Sequence, residues 1–195
     1  MRIFIAVLVL IFGLQSWAKA DGINEFQIEG ISIGDSLLDH FSNSEIMNSK
    51  HFYYPSSKKF FQINFWRVSD FKTYEHLTVL VKANDKNYII YELSGYIDYK
   101  KSISKCYNKS KIVISDIKNY LSYKDFHDFG KQKKLIDKTG ESTITTGQFF
   151  FNDGGVIKVS CHDWSAKYEE KGEIDSLNVS IASKEAFDWF VDEAY

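Results

Sequence analysis

Serine chemistry is the first possibility the chain raises. Gly30-Ile31-Ser32-Ile33-Gly34 fits the letters of the G-x-S-x-G corner, where a strand turns sharply into a helix and exposes a nucleophilic serine. Ser36 follows at once, in Gly34-Asp35-Ser36-Leu37. A serine hydroxyl attacks a carbonyl only when a histidine takes its proton and an acid orients that histidine. Ser32 stands inside an Ile-x-Ile strand pattern, so its surroundings read as strand rather than corner. Ser36 stands where a strand gives way to a helix, with His162 or His127 as the base it would need. Read from the residues alone, Gly34 ends a strand and Asp35 or Ser36 caps the helix after it, which leaves no catalytic residue assigned.

The other reactive side chains form no obvious set. His40, His51, His76, His127 and His162 show neither H-x-H nor H-x-x-x-H spacing, so no two imidazoles share a face as metal ligands. Cys161-His162-Asp163 lies in a predicted strand, where successive side chains point to opposite faces and cannot chelate together. The histidines are expected in water, with no metal and no cofactor. The aromatic run Phe52-Tyr53-Tyr54, Phe60-Phe61 and Phe65-Trp66 supplies ring faces that suit sugar stacking, although core packing accounts for most such rings. Lys131 to Lys134 read as a solvated loop.

These residues must be positioned by a mixed set of elements. Glu25 to Ile33 has strand character broken by Gly30, and Leu37 to Phe41 is a short helix with Ser36-x-x-Asp39 as a loose capping box. Ser42-Asn43-Ser44-Glu45 is a second start signal, so a broken helix is expected to about Met47. Phe61, Ile63 and Phe65 alternate with polar residues over Lys59 to Trp66. Tyr74 to Ala83 and Tyr88 to Ile97 flank a polar turn and form a hairpin. Ile103 to Leu121 has helical spacing, with Ile103, Cys106, Val113, Ile117 and Leu121 on one face. Thr143 to Phe151 and Val156 to Asp163 flank Asn152-Asp153-Gly154-Gly155, a second hairpin. A strand over Ile174 to Ile181 and a helix capped by Ser183 end the chain, while Gly130 to Glu141 is a polar stretch. Helices do not alternate with strands, so the expected fold is a single α+β domain: an antiparallel sheet built from hairpins, with three short-to-medium helices.

The first twenty residues fix the compartment. Met1-Arg2 precedes the apolar run Ile3 to Leu14, and Ala18-Lys19-Ala20 has the small-x-small form of a cleavage site. This is the layout of a secretory signal peptide, too short for a permanent span, so residues 21–195 form the expected mature domain without a stable membrane anchor. Cys106 and Cys161, both beyond the leader, are then expected to pair as a structural disulfide in an oxidising compartment. The formal net charge of −2 argues against nucleic acid, which needs a concentrated positive field. Arg2 and Arg67 are the only arginines, so bidentate clamps rest on Arg67.

Three resemblances bear on function. Gly34-Asp35-Ser36-Leu37 resembles the block that names the GDSL-type lipases and esterases, which implies Ser36 as nucleophile. The chain departs from that family in lacking its D-x-x-H, since Val159 stands three residues before His162, and in lacking its G-x-N-D block. The segment Glu29 to Asp39 is similar to the opening of small exported bacterial proteins of unassigned function. A looser likeness joins it to small envelope proteins, among them outer-membrane assembly lipoproteins, whose lipid-bearing cysteine it lacks. The expectation is an exported, periplasmic or secreted binding or envelope-associated protein whose partner is a protein, a glycan or a small molecule. A serine esterase using Ser36 and His162 is the alternative.

Overall fold

The computed structural model describes residues 22–66, 71–100 and 102–195; the leader expected at 1–20 and Arg67 lie outside the described residues. Eight strands form one sheet: β3 (Lys50–Tyr53), β4 (Phe60–Trp66), β5 (His76–Lys82), β6 (Ile90–Asp98), β7 (Asp125–Lys133), β8 (Thr143–Phe150), β9 (Val156–Asp163) and β10 (Ser176–Ala182). Their order is β3-β4-β5-β6-β10-β9-β8-β7, and every neighbouring pair is antiparallel. Two meanders, β3 to β6 and β7 to β9, are thus joined by the last strand, which slots between them.

Period-two alternation decides what each face carries. Ile63, Leu77, Val79, Leu93, Val179 and Ile181 project to one face and are buried in the main core. Helix α2 (Ile103–Tyr120) lies on that face and buries Cys106, Val113 and Ile117. The expected disulfide is present: Cys106 joins Cys161 of β9 with their Cα atoms 5.9 Å apart, pinning the helix to the sheet.

The rest of this face is covered by the segment that precedes the sheet. Strands β1 (Gln27–Ile28) and β2 (Ile31–Ser32) form a tight hairpin where sequence predicts one interrupted strand. Glu29 and Gly30 both take positive φ, 55° and 82°, and reverse the chain within two residues. The Glu29 carboxylate then accepts from the N–H groups of Lys72, Thr73 and Tyr74 at 2.9, 2.7 and 2.9 Å, tying the hairpin to the sheet. Ser36 caps a 3-10 turn, Leu37–Asp39, through the Leu38 N–H; no Asp39 bond completes a capping box there. The complete box is Ser42 with Glu45, at the start of α1 (Asn43–Asn48).

Two further elements differ from expectation. The stretch read as polar loop from Gly130 is the second half of β7, and α3 (Ala166–Glu169) makes a fourth helix. β7 is an edge strand whose side chains are mostly exposed on both sides, so no alternation marks it. A one-turn helix has no room for a 3.6-residue pattern. No described helix is long and apolar enough to cross a membrane.

Helix α4 (Lys184–Asp192) packs on the opposite face of the sheet. It buries Ala186 and Trp189 against Tyr54, Phe60, Leu80 and Ala182, and the Trp189 indole donates to Ser57 Oγ at 2.9 Å. This second core is small. It covers one end of its face and leaves the rest to polar residues.

Candidate functional site

Strand register lays out the uncovered part of that face in ranks. Asn64, Thr78, Ser94, Ser180, Lys158 and Gln148 stand opposite one another across six strands. The next rank is Trp66, His76, Tyr96, Asn178, Ser160 and Thr146. A sheet face against a core is apolar, and one against water is exposed. Here eight of the twelve side chains are polar and buried, from Ser160 at 1% exposure to Ser180 at 8%. No described helix or strand layer seals these ranks; they form a recess.

The recess runs along β10, whose residues on this face, Ser176, Asn178, Ser180 and Ala182, are all small or short. Its flanks are taller. Tyr96 and Glu92 rise from β6 on one side, Lys158 and His162 from β9 on the other. From Ser176 to Ala182 the floor spans about 20 Å. The end nearest Ser176 opens into a cavity of about 260 Å³ bounded by His76, Tyr96, His162, Trp164 and Lys134. The end nearest Ala182 opens into one of about 440 Å³ walled by Tyr54, Phe187, Phe190 and Tyr195. Tyr96 borders both, so the two cavities adjoin at its side chain and make a trough in two parts along β10. Their sizes are those of small-ligand sites.

Hydrogen bonds within the trough leave no described buried side-chain polar atom unsatisfied. Ser94 Oγ donates to the Glu92 carboxyl, and Thr146 and Ser160 share a bond of 3.0 Å. Tyr54 donates to Gln62 Oε1 at 3.1 Å, and Gln62 to Asn64 Oδ1 at 2.7 Å. The rings of Trp66, His76 and Tyr96 stack across β4, β5 and β6, with centroids 4.2 and 4.4 Å apart and planes within 19° and 10°. At the far flank the Lys134 ammonium sits 3.3 Å from the Trp164 ring centre and donates to His162 Nδ1 at 2.7 Å.

Burial reshapes the acid–base behaviour of these groups. Burial lifts the Glu92 carboxyl to about 7, against the pull of the Ser94 hydroxyl and the Lys158 charge. Burial lowers His76 to about 4, and burial together with the Lys134 and Lys158 charges lowers His162 to about 3. Both rings are therefore neutral near pH 7, which suits His162 Nδ1 as an acceptor. Lys134 is lowered to about 8, again by burial, with the acidic groups of Glu173 and Asp175 opposing. The Tyr96 phenol, pushed up to about 12 by burial, remains a donor. The expectation of solvated histidines is corrected for His76 and His162, which lie within the trough rather than in water.

The serines singled out by sequence stand elsewhere. Ser36 Oγ donates to the Asn87 carbonyl at 2.7 Å and accepts from Leu38 N–H, the bonding of a helix cap. Ser36 bridges Ile89 at the start of β6, whereas His162 lies in rank with Asp98 at its end, nine residues or about 30 Å away along the strand. His40 pairs with Asp35 at 3.2 Å, and His127 with Asp125 at 2.8 Å on the edge strand. Ser32 is buried, and its N–H donates to Asp35 Oδ2 at 2.8 Å. Asp35 Oδ2 thus meets both His40 and the Ser32 N–H, but none of these contacts joins a histidine to the hydroxyl of Ser32 or Ser36. Among the described residues no group of histidine, cysteine and carboxylate side chains could hold a metal ion. Of the aromatic run, Phe61 and Phe65 belong to the main core and Tyr54 and Phe60 to the α4 core, while Trp66, 58% exposed, borders the trough.

Glu92, Ser94, Asn178 and Ser180 are not marked as site residues by sequence. Polar residues at alternate strand positions read as a wet face. The informative signal is that small polar side chains recur on one face of strands whose other face is apolar, and that these strands prove to be central. No family model, no curated protein and no solved structure matches the chain.

Proposed function

We propose that this chain is an exported binding protein that holds a small ligand or the end of a larger one in the β10 trough, without a covalent step. One observation carries the reading: a belt of eight buried polar side chains on a sheet face that nothing described seals. Burying hydroxyl and amide groups adds little to stability even when they are paired. A floor of short residues between tall flanks is poor core packing and good ligand accommodation. The disulfide and the leader pattern both fit work outside the cytosol.

The test begins with protein isolated from the producing cell's envelope, whose first residue should lie near Asp21. Dialysed against a small-molecule extract of that envelope, it should retain a compound detectable by mass spectrometry. Ser180→Trp, which fills the trough floor, should abolish retention with the far-ultraviolet spectrum unchanged. Equal retention by that variant places binding elsewhere and overturns the site. A fluorophosphonate adduct on Ser36 of the folded protein would instead support the esterase alternative.

A further inference from the structure

We infer that the β10 trough binds a saccharide, because its floor of hydroxyl and amide side chains lies between aromatic rings at its two ends, along a paired central strand. This rests on the binding reading above and specifies its ligand class.

The floor sets the kind of hydrogen bonding. Ser94, Ser180, Thr78 and Ser160 each both donate and accept, and Asn178 and Gln148 do so through separate atoms. A ligand dense in hydroxyl groups has the same dual character, so each of its oxygens finds a partner without a fixed charge. The flanks carry both signs: Glu92 and Asp98 rise from β6, Lys158 and Lys134 face them from the β9 side, and Glu173 adds a third carboxyl at the Ser176 end. With both signs present along it, the trough is not built around one fixed charge on a ligand.

An extended peptide is the main competitor, and the topology disfavours it. Peptides that bind sheets add a strand at an edge, where unpaired backbone groups supply the affinity. β10 is hydrogen-bonded on both sides, to β6 and to β9. Nothing in the floor can form a ladder, so recognition falls to side chains alone. Rings stand at both ends: Trp66, His76 and Tyr96 at one, Phe187, Phe190 and Tyr195 at the other. Such rings suit the C–H faces of pyranose rings.

Glu92 and Asp98 do not form the pair that cleavage of a glycoside needs. Glycoside hydrolysis uses two carboxyl groups about 5–9.5 Å apart. Glu92 and Asp98 are six residues apart on one strand face, about 20 Å.

The experiment is titration of the mature, disulfide-bonded protein with three linear hexasaccharides at millimolar concentration, followed by tryptophan fluorescence and calorimetry. The three are β-1,4-linked glucose, β-1,4-linked N-acetylglucosamine and α-1,4-linked glucose; hexa-alanine is the comparison. At least one saccharide should bind. Asn178→Leu should weaken it about tenfold and Trp66→Leu about fivefold. Trp66 is more than half exposed, so its variant keeps the test sound should Asn178→Leu fail to fold. Binding of hexa-alanine alone, reversed by the same variants, overturns the saccharide class while the trough stands. Saccharide binding untouched by both variants overturns the site. No binding by any of the three hexasaccharides overturns the inference, and retention of a different compound in the dialysis experiment would leave the binding reading intact.

Discussion

Glu92 concentrates the conflict between stability and recognition in one side chain. Its carboxyl titrates at about 7 in the folded protein, above its ordinary value of 4.5. Between those values the folded chain keeps a proton that the unfolded chain has released, so stability falls as pH rises, and the full cost persists above pH 7. Glu92→Gln mimics the protonated form and leaves the Ser94 hydroxyl an oxygen to donate to. Each tenfold difference in proton affinity between folded and unfolded chains is worth about 1.4 kcal/mol, so the variant should gain on the order of 2–3 kcal/mol at pH 8. That corresponds to roughly 5–10 °C in Tm, with no gain at pH 4.5. His76 and His162 act in the other direction. Their folded values, about 4 and about 3, lie below 6.5, so the unfolded chain binds protons that the folded one refuses as pH falls. Below about pH 6.5 the two imidazoles outweigh the one carboxyl, so wild-type Tm should rise from pH 4.5 towards about pH 7, and Glu92→Gln should steepen that rise. A pH series of thermal melts on both proteins checks this, and a gain at pH 4.5 equal to that at pH 8 would show that Glu92 is not held by burial. In sequence Glu92 is one polar residue in Tyr-Glu-Leu-Ser. Its burial depends on strands far away in the chain, which local pattern does not report.

At the scale of elements, α2 and its disulfide are where sequence reading reaches furthest. Cys106 falls on the helical stripe with Val113 and Ile117, Cys161 on the strand stripe with Val159 and Ile157, and the two stripes meet. The bond closes a loop with a sequence separation of 55, for which the chain-entropy account gives about 4 kcal/mol. Reduction, or Cys106→Ala with Cys161→Ala, should lower Tm by roughly 10 °C while the far-ultraviolet spectrum below the transition is kept. A change under about 2 °C would mean that α2 holds its place by packing alone. The two hairpins are legible for a related reason: β8–β9 is announced by Asp153-Gly154 and β5–β6 by a polar turn, both local signals. Strand β7 and the β1–β2 hairpin are not. β7 keeps no buried stripe, and Glu29 at positive φ is a non-glycine residue whose conformation is held by tertiary bonds to Lys72, Thr73 and Tyr74. The trough belongs to the same class, because its ranks exist only once six strands are in register.

For the whole molecule, β10 is both the floor of the trough and the joint between two meanders. Without it, β6 and β9 each present an unpaired edge, in strands whose other neighbours are already satisfied. The same segment carries α4, whose Trp189 completes the second core with Tyr54, Phe60 and Leu80. Joining the two meanders therefore waits on residues 176–195, which follow both of them in the chain. Long-range pairing of this kind is slow, since β10 must find β6 roughly eighty residues back, as in Ser176 with Asp98. A chain ending at Asp175 should keep the Cys106–Cys161 bond within reach, yet lose cooperative unfolding and aggregate through its two open edges. Adding residues 176–195 in trans as a peptide should restore a sharp thermal transition, because strand addition repairs both edges at once. Cooperative melting of the truncated chain on its own would show that the two meanders hold together through α2 and its disulfide, and that β10 serves the trough alone.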